Sequence, residues 1–224
     1  GYCRTVKVKV AEPMQTLAED VARVHRVREL VGPEGRIRID ANGAWNVDEA
    51  EHAIHAMADA DLEYVEQPCT SIAELAELRR RVKYMAIPIA ADESVRKASD
   101  PFAVVAAQAA DLLVLKAQPL GGVRNALALA KQAGLPVVVS SALESSVGLS
   151  MGAHLAAALP ELEFDCGLGT AALLAGDVTR EPLRPVDGFI DVRRVEIDES
   201  KLDIFEAEDH RIDWWIDRLN RSFD

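Results

Sequence analysis

Asp40, Glu66 and Asp92 are spaced 26 residues apart, and each closes a short run of apolar or small residues: Ile39-Asp40, Val65-Glu66 and Ala91-Asp92. Carboxylates at matching positions of successive repeats converge if the runs before them lie side by side. Three such groups repel one another unless a cation sits among them. Hard oxygen donors without soft sulfur favour Mg2+, with Mn2+ as the alternative. The competing reading is that each acid caps the helix that follows it. Lysines form the second signal. In Lys7-Val8-Lys9 the two lysines share one face of a strand while Val6, Val8 and Val10 share the other. Lys116 ends the apolar run Leu112-Leu113-Val114-Leu115. Lysines turned into a protein interior are costly unless they act on something. For Lys7 and Lys9 the competing reading is an exposed edge strand guarded by charge.

The elements that must carry these residues alternate. Runs of β type cover Thr5–Val10, Arg36–Asp40, Glu63–Gln67, Ile87–Asp92, Leu112–Lys116, Pro136–Ser141 and Glu163–Leu168. Helix signals lie between them. Thr16-x-x-Glu19, Ser71-x-x-Glu74 and, more loosely, Asn46-x-x-Glu49 read as capping boxes. Pro101 marks a first helical turn, and Gly134 with Pro136 marks a helix end. The strand ends Lys9, Asp40, Glu66, Asp92, Lys116, Ser140 and Cys166 recur every 24 to 31 residues, the length of one β/α unit. Strands separated by helices give an α/β fold with a parallel sheet. Ionisable residues close five consecutive strands. An open doubly wound sheet keeps its chemistry near one switch point, whereas a closed barrel gathers all strand ends round one mouth. The expected fold is therefore a TIM-type (β/α)7β barrel, incomplete at its N-terminus. A hairpin is expected over Gly188–Ile197.

Hydrophobic residues at 49% and charged residues at 28% describe a globular chain with an aliphatic core, not a disordered one. A net charge of −12 argues against nucleic acid or an anionic membrane surface as partner. No apolar run approaches a membrane span, and no signal peptide is visible. Cys3, Cys69 and Cys166 are odd in number and far apart, which suits reduced thiols and a cytoplasmic location. The first residue is Gly1 and the first methionine is Met14, so the chain is expected to begin inside a longer product.

In order and at βα spacing, Lys7-Val8-Lys9, Asp40-Ala41-Asn42, Glu66-Gln67-Pro68, Ala91-Asp92-Glu93-Ser94 and Leu115-Lys116 resemble the enolase superfamily, in its muconate-lactonizing-type subgroup. The segments Ser140 to Ser146 and Cys166 to Thr170 resemble the last two strand ends of the actinobacterial o-succinylbenzoate synthase family, and Pro119-Leu120-Gly121-Gly122 agrees. The resemblance runs from Val6 to about Asp187. It implies a barrel domain over 1–187, holding strands two to eight, and a tail over 188–224 packed on the barrel or on a cap domain. The cap and first strand are expected to precede Gly1.

The resemblance also implies chemistry. A Mg2+-dependent carbon–oxygen lyase would dehydrate 2-succinyl-6-hydroxy-2,4-cyclohexadiene-1-carboxylate to o-succinylbenzoate, in menaquinone biosynthesis. Asp40, Glu66 and Asp92 would bind the metal, which stabilises an enediolate. Lys9 would be the general base and then the acid. Lys116 would stabilise charge from the opposite side. Lys7, Asn42, Ser140, Ser141 and Leu143 would meet substrate, with Gly167 and Leu168 offering backbone N–H groups to a carboxylate. The partner is a small-molecule carboxylate, with the oligomeric state open. The alternatives are an N-acylamino-acid racemase or a muconate-type cycloisomerase of the same subgroup, or an inactive truncated or scaffold chain.

Smaller signals have plainer readings. Asn42 suits turn chemistry as well as a ligand contact. Glu93 reads as a support for the metal site or a partner of a lysine. Asp165 reads as a buried strand-end acid or a helix cap. His52 and His55 fit an outer helix better than a metal. Trp214 and Trp215 read as core or interface residues of the tail.

Overall fold

The computed structural model describes residues 3–221. Six strands make one parallel sheet in sequential order: β1 (Thr5–Lys9), β2 (Arg36–Asp40), β3 (Leu62–Glu66), β4 (Ile89–Ala91), β5 (Leu112–Leu115) and β6 (Val137–Val139). Pro88 and Pro136 lack an N–H and stand just before β4 and β6. Their carbonyls still accept from Val65 and Leu113, so these two strands are shorter than the sequence suggests.

The helices begin where their caps lie. Thr16, Asn46 and Ser71 each form a full reciprocal capping box at α1 (Leu17–Val31), α2 (Val47–Met57) and α3 (Ile72–Val82). Pro101 sits in the first turn of α4 (Asp100–Ala106), and α5 (Val123–Ala133) ends on left-handed Gly134. The apolar positions recur at helical spacing. Ala50, Ala53, Ile54 and Met57 of α2, and Leu75, Leu78 and Val82 of α3, are buried against the sheet. In α6 (Ser146–Ala158), Gly152 leaves room for Leu168. A Cβ there would stand 2.7 Å from Leu168 Cδ2.

Both faces of the sheet are covered. Val8, Ile37, Ile39, Val65, Ile89, Leu113, Leu115 and Val139 meet the helices in one core. Tyr64, Ala90, Leu112, Val114 and Val138, with Phe164, form a second core on the concave side. Strand parity puts Lys7, Lys9, Arg38, Asp40 and Glu66 on that same concave side. Arg38 lies over the Tyr64 ring at 4.7 Å and donates from Nη1 to the Asp165 carbonyl at 2.7 Å, reaching from β2 to the far segment. The sheet is thus curled into a half-barrel. The register aligns Lys9 with Asp40 and Asp40 with Glu66.

Three expectations need correction. The run Glu163–Leu168 is not a strand. Its backbone pairs with the sheet at a single bridge, Ser140 to Gly167, and Asp165 is exposed, accepting from the Thr5 hydroxyl. The hairpin over Gly188–Ile197 does not form. A tight turn at left-handed Asp187 and Gly188 pairs Val186 with Phe189, and Ile197 pairs with Thr179 instead. Of the two readings of Trp214 and Trp215, core or interface, the first is excluded. They lie exposed on the last helix, Asp209–Asn220, which buries no residue. Beside the pairing of Ile197 with Thr179, the tail meets the rest through the Phe205 ring, which fills the space beside Gly176, through Lys201 Nζ, which donates to Thr179 O at 2.7 Å, and through Ile190 and Val195, which pack against the outer core. Residues 1–2 and 222–224 of the expected barrel and tail segments lie outside the described residues. Among the described residues no helix is long and apolar enough to cross a membrane.

Candidate active site

The C-terminal ends of the strands carry a cluster of alternating charge. Asp40 and Glu66 end β2 and β3, and Asp92 follows β4 by one residue. All three are buried. Each is held by ammonium. Lys7 Nζ lies 2.9 Å from Asp40 Oδ2 and 2.7 Å from Glu66 Oε1. Lys9 Nζ lies 2.6 Å from Asp40 Oδ2. Lys116 Nζ lies 2.5 Å from both oxygens of Asp92.

This arrangement sets the protonation states. Burial pushes the Asp40 carboxyl up, but the Lys7 charge and the hydrogen bonds from Lys9 and Lys7 outweigh it and hold it below the usual range. Glu66 moves the other way. Burial raises it, the Lys7 charge opposes, and the neighbouring Asp40 and Asp92 add to the rise. Burial pulls Lys7 down, yet Glu66 and Asp40 outweigh it, so Lys7 stays above its ordinary value and fully charged.

A cavity of about 480 Å³ opens over this cluster. Lys7, Lys9, Asp40, Asn42, Asp92, Lys116, Ser140, Ser141 and Gly167 line it, drawn from β1, β2 and the segments after β4, β5 and β6. Glu66 stands behind them, with no exposed surface. The other expected contacts fall elsewhere. Leu143 is 66% exposed and lies outside the lining, on the loop before α6. Leu168 is buried in the outer core against Gly152. The Gly167 N–H is not free for a carboxylate, because it donates to Val139 O at 2.8 Å. Ser141 Oγ donates to Gly167 O at 2.9 Å and lies 2.8 Å from Thr170 Oγ1, so it ties two loops together. The partners of Glu93 are Asn42 and Arg96, not a lysine. His52 and His55 are exposed on α2, and His55 Nε2 meets the Tyr84 hydroxyl at 2.6 Å.

Several lining residues escaped the sequence reading. Arg96 and Leu173 follow the strand ends without a periodic signal. Gln67 stood inside the Glu66-Gln67-Pro68 motif, and its role is structural. Its Oε1 accepts from the backbone N–H of Asp92 and Ser94, at 3.0 and 3.2 Å. Its Nε2 donates to Cys69 O and Ser94 Oγ, at 2.8 Å each. A buried amide with both ends satisfied fixes the turn that aims Asp92.

The donor set fits a hard divalent cation. Three carboxylates supply oxygen only, and Glu66 Oε2 is buried with no hydrogen-bond partner, a costly state that a cation would relieve. Among the described residues no three acidic, histidine or cysteine groups stand gathered about a common point.

Comparison with known proteins agrees with this layout. Residues 1–199 match the family model described as enolase C-terminal domain-like. An o-succinylbenzoate synthase of Thermobifida fusca (strain YX) is 60% identical over 200 residues, covering 89% of this chain and 62% of that protein. One from Mycobacterium tuberculosis (strain H37Rv as ATCC 25618) is 56% identical over 221 residues, covering 98% and 66%. The chain thus spans a little under two thirds of the length of these curated relatives. The solved muconate lactonizing enzyme from Pseudomonas putida superposes with a TM-score of 0.82 at 27% identity, covering 91% of this chain and 58% of that one. Curled parallel sheet, strand-end acids and flanking lysines come together with the match over 1–199, and the chain belongs to the enolase C-terminal domain-like family.

Proposed function

We propose that the protein dehydrates 2-succinyl-6-hydroxy-2,4-cyclohexadiene-1-carboxylate to o-succinylbenzoate, as a metal-dependent carbon–oxygen lyase of menaquinone biosynthesis. The observation that carries this reading is that Lys9 and Lys116 line one cavity over three buried carboxylates. The identity to proteins named o-succinylbenzoate synthase supports the choice of substrate. Asp40, Glu66 and Asp92 would hold Mg2+, or Mn2+ in its place. When bound, the ion supplies Lewis-acid charge to the substrate carboxylate.

The chain's own residues do the rest. Lys9 takes the proton from the ring carbon that bears the carboxylate. The bond from the neighbouring ring carbon to its hydroxyl breaks, Lys9 returns the proton to the departing hydroxide, and water leaves. The ring becomes aromatic, which drives the step. Lys116, buried and paired with Asp92, contributes fixed positive charge beside the developing anion. Ser140 is the freer hydroxyl for the succinyl group, since its own contact to Gly167 O is 3.5 Å.

The finer architecture belongs to the same proposal. The half-barrel is the larger part of a (β/α)7β barrel, with 1–187 as barrel and 188–224 as tail. A sheet apolar on both faces supports this. Free Cys3, Cys69 and Cys166 support a reducing, cytoplasmic setting.

The test is an assay with the cyclohexadiene substrate and Mg2+, following the product ring by ultraviolet absorbance. Turnover that stops on chelation and returns with Mg2+ is expected. Racemisation of N-acylamino acids with no dehydration would overturn the reading.

A further inference from the structure

Lys9 is held from two sides. Its ammonium donates to Asp40 Oδ2 and to Asn42 Oδ1, both at 2.6 Å. The Asn42 amide is held at its other end, where Nδ2 donates to Glu93 Oε1 at 3.1 Å. Arg96 Nη2 donates to that same oxygen at 3.0 Å. The Asn42 backbone is fixed as well. Its φ is +47°, and its N–H donates to Asp40 Oδ1 at 3.0 Å. Glu93 keeps its second oxygen, Oε2, buried and without a partner.

We infer that Glu93 is a positioning residue for Lys9, acting through Asn42: it fixes which end of the Asn42 amide faces the lysine. A side-chain amide has an acceptor at one end and donors at the other, and its two flip states have nearly the same shape. A carboxylate can only accept. Glu93 therefore takes the NH2 end and leaves the carbonyl oxygen for Lys9. In the reversed state donors would face donors at Lys9 and acceptors would face acceptors at Glu93. The consequence for Lys9 is directional. An amine with two N–H groups engaged has one direction left for its lone pair or for the proton it transfers. Constant acceptors at Asp40 and Asn42 set that direction, and Lys9 lines the cavity. The catalytic consequence rests on the proposed role of Lys9 as the base. The orientation of Asn42 does not.

Three variants test it. Glu93→Ala removes the acceptor, and kcat for dehydration should fall 10- to 100-fold with KM within twofold and Mg2+ affinity within threefold. Glu93→Gln can keep an oxygen where Oε1 stands, facing both Asn42 and Arg96, and should bring kcat back to within threefold of wild type. Asn42→Asp offers Lys9 an acceptor in either flip state, so adding Glu93→Ala to it should cost less than threefold more. An independent readout is the Asn42 side-chain amide resonance in 15N-asparagine-labelled protein. It should keep slow solvent exchange in wild type and Glu93→Gln and lose it in Glu93→Ala. Equal losses in Glu93→Gln and Glu93→Ala would mean that charge, not amide orientation, matters, and would overturn the inference. A tenfold loss of Mg2+ affinity in Glu93→Ala would place its action on Asp92 and overturn it too. If wild type does not dehydrate the substrate, the proposed function fails, while the amide signature still decides the positioning.

Discussion

The Lys116 ammonium bridges both carboxylate oxygens of Asp92 at 2.5 Å, and both side chains are almost wholly buried. A buried pair of this kind binds each partner to the other, since removing either leaves an unpaired charge out of water. Lys116→Ala should therefore cost about 3–5 kcal/mol of stability as well as activity, and urea melts will separate the two losses. Lys116→Arg keeps the charge but does not readily act as a base. It should retain measurable dehydration and lose any racemase side activity. Complete loss of dehydration in a folded Lys116→Arg that still binds Mg2+ would argue against a purely electrostatic role.

Lys9 differs in exposure and in task. Its side chain is 47% exposed where that of Lys116 is 7%. Lys9→Ala should thus cost little stability but about 10²–10⁴-fold in kcat, the usual effect of removing a general base, the role proposed for it. An unshifted melt together with lost turnover checks both halves of the statement.

Asp92 lies 3.5 Å from Arg96 as well as against Lys116. Asp92→Asn should weaken Mg2+ binding at least tenfold, read by titration calorimetry. The same affinity in wild type and variant would remove Asp92 from the proposed metal site.

Asp177 gives a pH dependence whose sign is set by geometry. Its Oδ2 accepts from Ser146 N and Oγ, at 2.8 and 2.7 Å, and its Oδ1 from Thr179 N and Oγ1, at 3.0 and 2.8 Å. Burial raises its pKa, but these four bonds outweigh burial and hold it below the usual 3.8. A depressed folded pKa adds stability above the unfolded value, and that stability is lost as pH falls through the folded one. The melting temperature of Asp177→Asn should lie below wild type at pH 7, by the equivalent of about 1–3 kcal/mol. The gap should shrink as pH falls below about 4. A gap constant with pH would exclude the carboxylate as its cause.

Gly152→Ala should destabilise by about 1–3 kcal/mol, as overpacking does, because its Cβ meets Leu168 Cδ2. Leu168→Val in the same chain should recover part of the loss in a thermal melt.

What was legible in the sequence was local or periodic. The capping boxes at Thr16, Asn46 and Ser71 depend on residues three apart, and all three helices start there. The parity of Lys7 and Lys9 against Val8 depends only on strand geometry, and the even spacing of Asp40, Glu66 and Asp92 depends on equal βα units. These were enough to put charged side chains at one end of one parallel sheet. What tertiary structure decided is how those groups meet. That Lys7 bridges Asp40 and Glu66, and that Asn42 turns its oxygen to Lys9 and its nitrogen to Glu93, depend on atoms from segments 33 to 59 residues apart. The run Glu163–Leu168 shows the same limit from the other side. Its pattern suits a strand, but a strand needs a ladder of backbone partners, and the fold offers it one bridge at Gly167. The tail tryptophans are exposed for a like reason, because apolar character states what burial would gain and only the packing of neighbours supplies a surface to be buried against.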